Sequence, residues 1–317
     1  MNSNPNNKLA VVALGGNALI IDKKHQTVPD QFEAVKETVS HIVDMIATGW
    51  QVVITHGNGP QVGFIMRRSE LSLHELHPVP MDYCGADTQG AIGYMIQKAL
   101  HNEFQERGIK KNAATVVTQV RVDQEDPAFA NPSKPVGSFL DETTAMQRMA
   151  EGQEFVEDAG RGWRRVVASP IPKEIVEIDA IKTLVDADFI VVAVGGGGIP
   201  VVEKSPGKLQ GVEAVIDKDF ASGLLAKMIN ADLLLISTAV EKVAINFNKP
   251  DQQWLDKITV TEAEKFIAEG HFAPGSMLPK IQAIVKFLKE GGRQALITDP
   301  PNMRRALSGE TGTWILP

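Results

Sequence analysis

Cysteine is nearly missing from this sequence. Cys84 stands alone among 317 residues, which leaves no partner for an intrachain disulfide and no thiolate set for a metal cluster. Such a chain suits a reducing compartment, and a cytoplasmic location is expected. Long apolar runs are missing as well: the two longest, residues 9–21 and 189–202, are broken by glycines and fall short of the ~18 residues a membrane span requires. No membrane partner is expected. Positive charge is in deficit, with 32 Lys+Arg against 39 Asp+Glu and a net charge of −7, the wrong sign for a broad basic face that grips nucleic acid. No nucleic-acid partner is expected, so an anionic ligand must meet a local cluster of cations. The two commonest nucleotide signatures, G-x-x-x-x-G-K-[ST] and G-x-G-x-x-G with its acidic residue, do not occur, which disfavours a Rossmann dehydrogenase. The Asn-rich start, residues 1–8, reads as a disordered tail.

What is present describes an ordinary folded chain, 43% hydrophobic and 22% charged. Short β-branched runs at 9–14, 51–55, 115–120, 189–194, 232–237 and 294–298 predict buried strands. Between them, helical spacing marks 85–107, with Ile92, Ile96, Leu100 and Phe104 on one face, and 278–290, with Ile281, Ile284, Val285 and Leu288. Strands that are apolar on both faces and alternate with helices predict an α/β fold around a mainly parallel sheet covered on both sides. Ligands then gather at the strands' carboxyl ends. Residues 123–162 break the rhythm: they are polar, carry Pro127, Pro132 and Pro135, and offer one convincing helix near 142–151. So long an excursion reads as an inserted lid or binding subdomain, with a surface decoration as the alternative.

Glycine-rich turns follow the strands at Gly15-Gly16-Asn17, at Gly57-Asn58-Gly59-Pro60-Gln61 and at 195–198, and a weaker pair stands at Gly291-Gly292. Each turn alone is explained by a tight bend. Together they offer backbone amides to one phosphate path. Lys218, between Asp217 and Asp219, and Lys280 both stand near predicted helix starts, where a cation opposes the helix dipole; a negative ligand would relieve the cost. Lys134, between Pro132 and Pro135, is pinned on the insertion. Lysines, backbone amides and Mg²⁺ are the inventory phosphoryl transfer needs. Asp219 can orient a lysine or cap a helix. His74 and His77 read as loop residues, Cys84 as a half-buried thiol, and His56 either as an anion donor or as packing.

The segments Ala13-Leu14-Gly15-Gly16-Asn17-Ala18-Leu19, Thr55-His56-Gly57-Asn58-Gly59-Pro60-Gln61-Val62-Gly63, Gly162-Trp163-Arg164-Arg165-Val166-Val167, Val215-Ile216-Asp217-Lys218-Asp219 and Gly275-Ser276-Met277-Leu278-Pro279-Lys280 together resemble the carbamate kinases of the amino acid kinase superfamily. The resemblance implies a three-layer αβα open sandwich with a protruding lid subdomain at 123–165. Within it, residues 9–210 would bind carbamate or carbamoyl phosphate, and residues 211–317 would bind ATP or ADP, with Mg²⁺ held mainly by phosphates. It implies Gly15, Gly16, Asn17, Gly57, Asn58 and Gly59 around the transferring group, and Lys134, Lys218 and Lys280 as catalytic cations oriented by Asp219. Thr238, Ala239, Val240, Gly275 and Met277 would lie near the nucleotide, beside Lys218 and Lys280. A homodimer and reversible ATP formation from carbamoyl phosphate and ADP are further implications. The alternatives are a sister kinase acting on another carboxylate or on UMP, and a nucleotide-binding regulator without catalysis.

Overall fold

The computed structural model describes residues 8–20, 22, 24–157 and 162–317. The chain begins with β1 (Lys8–Leu14), α1 (Val28–Ala47), β2 (Trp50–His56), α2 (Gly59–Leu71), α3 (Met81–Glu106) and β3 (Ala113–Thr115). A second group follows: β4 (Gln119–Val122), β5 (Lys134–Leu140), α4 (Glu142–Ala150), β6 (Phe155–Glu157), β7 (Trp163–Val167) and β8 (Pro172–Ile175). Next come α5 (Ile178–Asp186), β9 (Ile190–Val192), β10 (Ile199–Ser205), β11 (Lys208–Gly211), α6 (Lys218–Met228) and β12 (Leu233–Ser237). The last stretch holds β13 (Val243–Ile245), β14 (Gln253–Leu255), β15 (Lys257–Thr259), α7 (Val260–Ala268), α8 (Met277–Lys289), β16 (Ala295–Thr298), α9 (Met303–Leu307) and β17 (Thr313–Leu316).

The main sheet has the order β15-β17-β16-β12-β1-β2-β9-β3, and every neighbouring pair is parallel except β16 with β17. Strand alternation divides the core between its faces. Ala10, Val12 and Leu14 join Val39 of α1 and Ile92, Ile96 and Leu100 of α3 on one side; Val11 and Ala13 join Leu225 of α6 and Ile281 and Ile284 of α8 on the other. The result is the expected three-layer α/β sandwich. Lys8, counted with the tail in the sequence, instead opens β1 opposite Trp50. The division after residue 210 falls inside β11, and one sheet runs through both halves of the chain.

Two expectations need correction. The apolar run 115–120 is not one strand: β3 ends at Thr115 and β4 starts at Gln119 in a separate sheet of order β11-β10-β4-β8. The chain changes partners here: the Gln89 side chain donates to the Thr118 carbonyl (3.1 Å) and accepts from the Thr118 amide (2.7 Å), and the same carbonyl accepts from the Ile199 amide of β10 (2.9 Å), so pairing passes from β9 to β10. The insertion, read with one helix, also folds an antiparallel sheet of order β5-β7-β6 beside α4. It rests closely on α2, where a methyl group on Gly63 would lie only 3.3 Å from Gly137 Cα.

Candidate active site

Strands β1 and β2 end side by side, and their turns open into a cleft of about 240 Å³. Gly16, Gly57, Asn58 and Gly59 line it from the first half of the chain, Lys134 and Gly196 from the middle, and Lys218, Asp219, Gly275 and Lys280 from the second half. All three lysines singled out in the sequence therefore face one space. Gly15, Thr238, Ala239, Val240 and Met277 fall outside its lining, and the side chain of Asn17 lies outside the described residues. The pair Gly291-Gly292 follows the carboxyl end of α8, away from the cleft.

Asp219 organises the charges. It is 3% exposed; one carboxylate oxygen accepts from Lys218 Nζ and the other from Lys280 Nζ (2.9 Å). Burial by itself would raise this carboxyl, but the two ammonium groups outweigh it and hold it down at about 2. Burial pushes the Lys218 ammonium down, Asp219 opposes that shift, and the Lys280 charge adds to it. The helix cap is not Asp219 but Asp217: its Oδ1 accepts from the Asp219 amide (2.9 Å) while Oδ2 accepts from Lys134 Nζ (2.7 Å). Two aspartates two residues apart thus collect three cations from α6, α8 and β5. Lys134 stands at the root of the lid rather than its tip, opposite Val167 in the β5–β7 pair. The neighbouring Ala168 carbonyl accepts from the Val215 amide (2.9 Å), which brings the root to the turn before α6.

The glycine turns divide their work. The Gly15 amide donates to the Ser237 carbonyl (3.0 Å) and the Gly57 amide to the Leu14 carbonyl (3.1 Å), so both are spent holding the strand ends together. The amides of Asn58 and Gly59 occupy the cap and first positions of α2, where a helix offers no internal acceptor. Gly196 has φ 68, and a side chain there would collide with the Asn58 amide at 2.1 Å.

Several contributors escaped the sequence reading. Asn58 Nδ2 donates to Thr88 Oγ1 (2.9 Å), which donates to the Gly85 carbonyl (2.7 Å) and so ties α2 to α3. Ser222 Oγ donates to the Lys218 carbonyl (2.6 Å) and accepts from Thr55 Oγ1 (2.6 Å), fixing the start of α6 against β2. Nothing in the local sequence distinguishes these from ordinary polar residues. His56 is packing, not an anion donor: it is 1% exposed, its Nδ1 donates to the Gly57 carbonyl (2.9 Å), and burial, with the Lys218 charge adding, lowers it to about 4. Cys84 is fully rather than half buried, and burial, with Asp87 and Asp82 adding, raises its thiol to about 11. His74 and His77 are exposed loop residues.

No three His, Cys, Asp or Glu side chains stand close enough to hold a metal among the described residues, and all four oxygens of Asp217 and Asp219 are engaged. Among the described residues, side chains therefore form no metal cage in this cleft. Among the described residues no helix is long and apolar enough to cross a membrane.

A cationic cleft at the carboxyl ends of a mainly parallel sheet defines a phosphotransferase. The chain belongs to the amino acid kinase family, whose profile matches residues 8–299. Its relatives include the carbamate kinase-like protein YahI of Escherichia coli, 51% identical over 98% of this chain and 99% of that protein. The carbamate kinase of Thermococcus kodakarensis is 50% identical over 98% and 99%. The solved structure of carbamate kinase from Giardia lamblia bound to AMP-PNP matches with a TM-score of 0.93 and 43% identity, covering 98% of this chain and 99% of that one. These likenesses bear out the resemblance read from the motifs.

Proposed function

We propose that this protein is a carbamate kinase that interconverts carbamoyl phosphate and ADP with carbamate and ATP, run mainly towards ATP. The observation that carries the reading is the convergence of Lys134, Lys218 and Lys280 on Asp217 and Asp219 in one cleft. In the reaction the phosphorus–oxygen bond to carbamate breaks as a bond to the β-phosphate oxygen of ADP forms, and carbamate leaves with the electron pair. No proton has to move, so positioning and neutralisation of the equatorial oxygens supply the catalysis. Lys218 and Lys280 meet those oxygens, Asp219 holds both ammonium groups in place, and Lys134 approaches from the lid root. The amides of Gly16, Asn58 and Gly59 hold the carbamoyl phosphate side, while Gly275, with Thr238, Ala239, Val240 and Met277 beyond the cleft, serves the nucleotide side. The nucleotide enters as its Mg²⁺ complex, the metal riding on phosphate oxygens as part of the substrate.

The residue ranges 9–210 and 211–317 then act as the carbamate and nucleotide halves, in the cytoplasm and as a homodimer. A face for the dimer is available on α3, where Tyr83 and Tyr94 are 64% and 62% exposed; light scattering on the eluting protein checks the mass. The function is tested by ATP formation from ADP with carbamoyl phosphate, beside ADP formation from ATP with N-acetylglutamate and with UMP. Turnover confined to carbamoyl phosphate is expected. Preference for another acceptor would assign a sister kinase, and ADP binding by a protein inert throughout would assign a regulator.

A further inference from the structure

Among the described residues, the cleft wall holds one buried side-chain polar atom that no donor reaches. Gln61, in the first turn of α2, lines the cleft and is 8% exposed, and its Oε1 is shielded from water without a hydrogen bond. The direction of this amide is fixed by a chain of partners. The Gln26 carbonyl can only accept, so Gln31 turns its Nε2 toward it (2.8 Å). That leaves Gln31 Oε1 to accept from Gln61 Nε2 (3.0 Å). Flipping either amide would set two oxygens against each other. Gln31 is itself only 3% exposed, so the lock is built into the interior, and it leaves the Gln61 oxygen as the unspent end. An unmet buried acceptor is destabilising until a donor reaches it.

We propose that Gln61 is a specificity residue whose Oε1 accepts an N–H from the carbamoyl amino group, with Gln31 as the positioning residue that aims it. The inference rests on the carbamate kinase reading above. Apart from Asn58 Oδ1 and the Ser276 hydroxyl, the side chains and turns of the cleft present mainly donors: three ammonium groups and the backbone amides of the glycine turns. Its carboxylates already accept from lysines or from the α6 amide. A carbamoyl group brings the N–H donors that phosphate lacks, and a site built to bond an N–H rejects the analogue without it.

Acetyl phosphate is that analogue, with a methyl group in place of the amino group at the same size. The experiment measures ATP formation from ADP with each donor, taking the inhibition constant of acetyl phosphate against carbamoyl phosphate where its turnover is too slow to follow. Gln61→Met should lower the preference for carbamoyl phosphate about tenfold or more, through loss with carbamoyl phosphate and a change within about threefold for acetyl phosphate. Gln31→Met should lower the same ratio, and it carries the test if the first variant does not fold. A stable variant that loses equally on both donors, or keeps the wild-type ratio, overturns the proposal alone. Wild-type protein inert with carbamoyl phosphate overturns the functional reading and this inference together.

Discussion

Asp219 holds two ammonium groups on one buried carboxylate, and removing its charge would leave both lysines facing each other at low dielectric. Asp219→Asn is therefore expected to cost about 3 kcal/mol in denaturant unfolding, the usual range for breaking a buried pair, and to lower kcat at least about 100-fold. His56 gives a second test, with a definite sign. Its folded value of about 4 lies below its ordinary 6.5, so between those limits the unfolded chain takes a proton that the folded chain refuses. Stability should fall as pH drops through that window, by about 3 kcal/mol at its foot. His56→Asn should flatten the slope between urea midpoints at pH 7 and 4.5; parallel slopes would contradict the assignment. At this scale Lys218 and Lys280 were legible because a cation at a helix start is anomalous, and Lys134 because prolines flank it on the insertion. Asp217 as the cap was not, because either neighbouring aspartate can cap a helix, nor were Thr55, Ser222 and Gln61, because they have partners on other elements and their residue types are common everywhere.

The lid shows how element boundaries can hide from a sequence. β5, β6 and β7 form a small antiparallel sheet with few buried side chains, so no continuous apolar run announces them, whereas α4 declares itself with Asp141 accepting from the Thr144 amide. The strand read across 115–120 failed for a different reason: a distant glutamine bonds both backbone groups of Thr118 as the chain passes from β9 to β10, and no local pattern encodes that. The lid depends on the backbone approach between Gly63 and Gly137. Gly63→Val should lift it from α2, speeding proteolysis within residues 123–165 and reducing turnover, while the unfolding midpoint of the main core changes little. A variant with wild-type proteolysis and turnover would show that the contact does not seat the lid.

Across the whole molecule, the sheet is the most legible feature, because strands buried on both faces must be apolar throughout. Its topology places the ends of β1, β2 and β12 together, and into that corner α6 and α8 deliver Lys218 and Lys280, residues far apart in the chain. The cleft was legible as an inventory of charges and turns, Asp219 as the lysines' anchor among them; the tie of Asp217 to Lys134 required the fold. The convergence of cations on one migrating phosphoryl group is tested most directly by kcat for ATP formation from carbamoyl phosphate and ADP in wild type and Lys218→Ala, with circular dichroism confirming a folded variant. A fall of at least about 100-fold in the folded variant is expected; a kcat within threefold of wild type would contradict it.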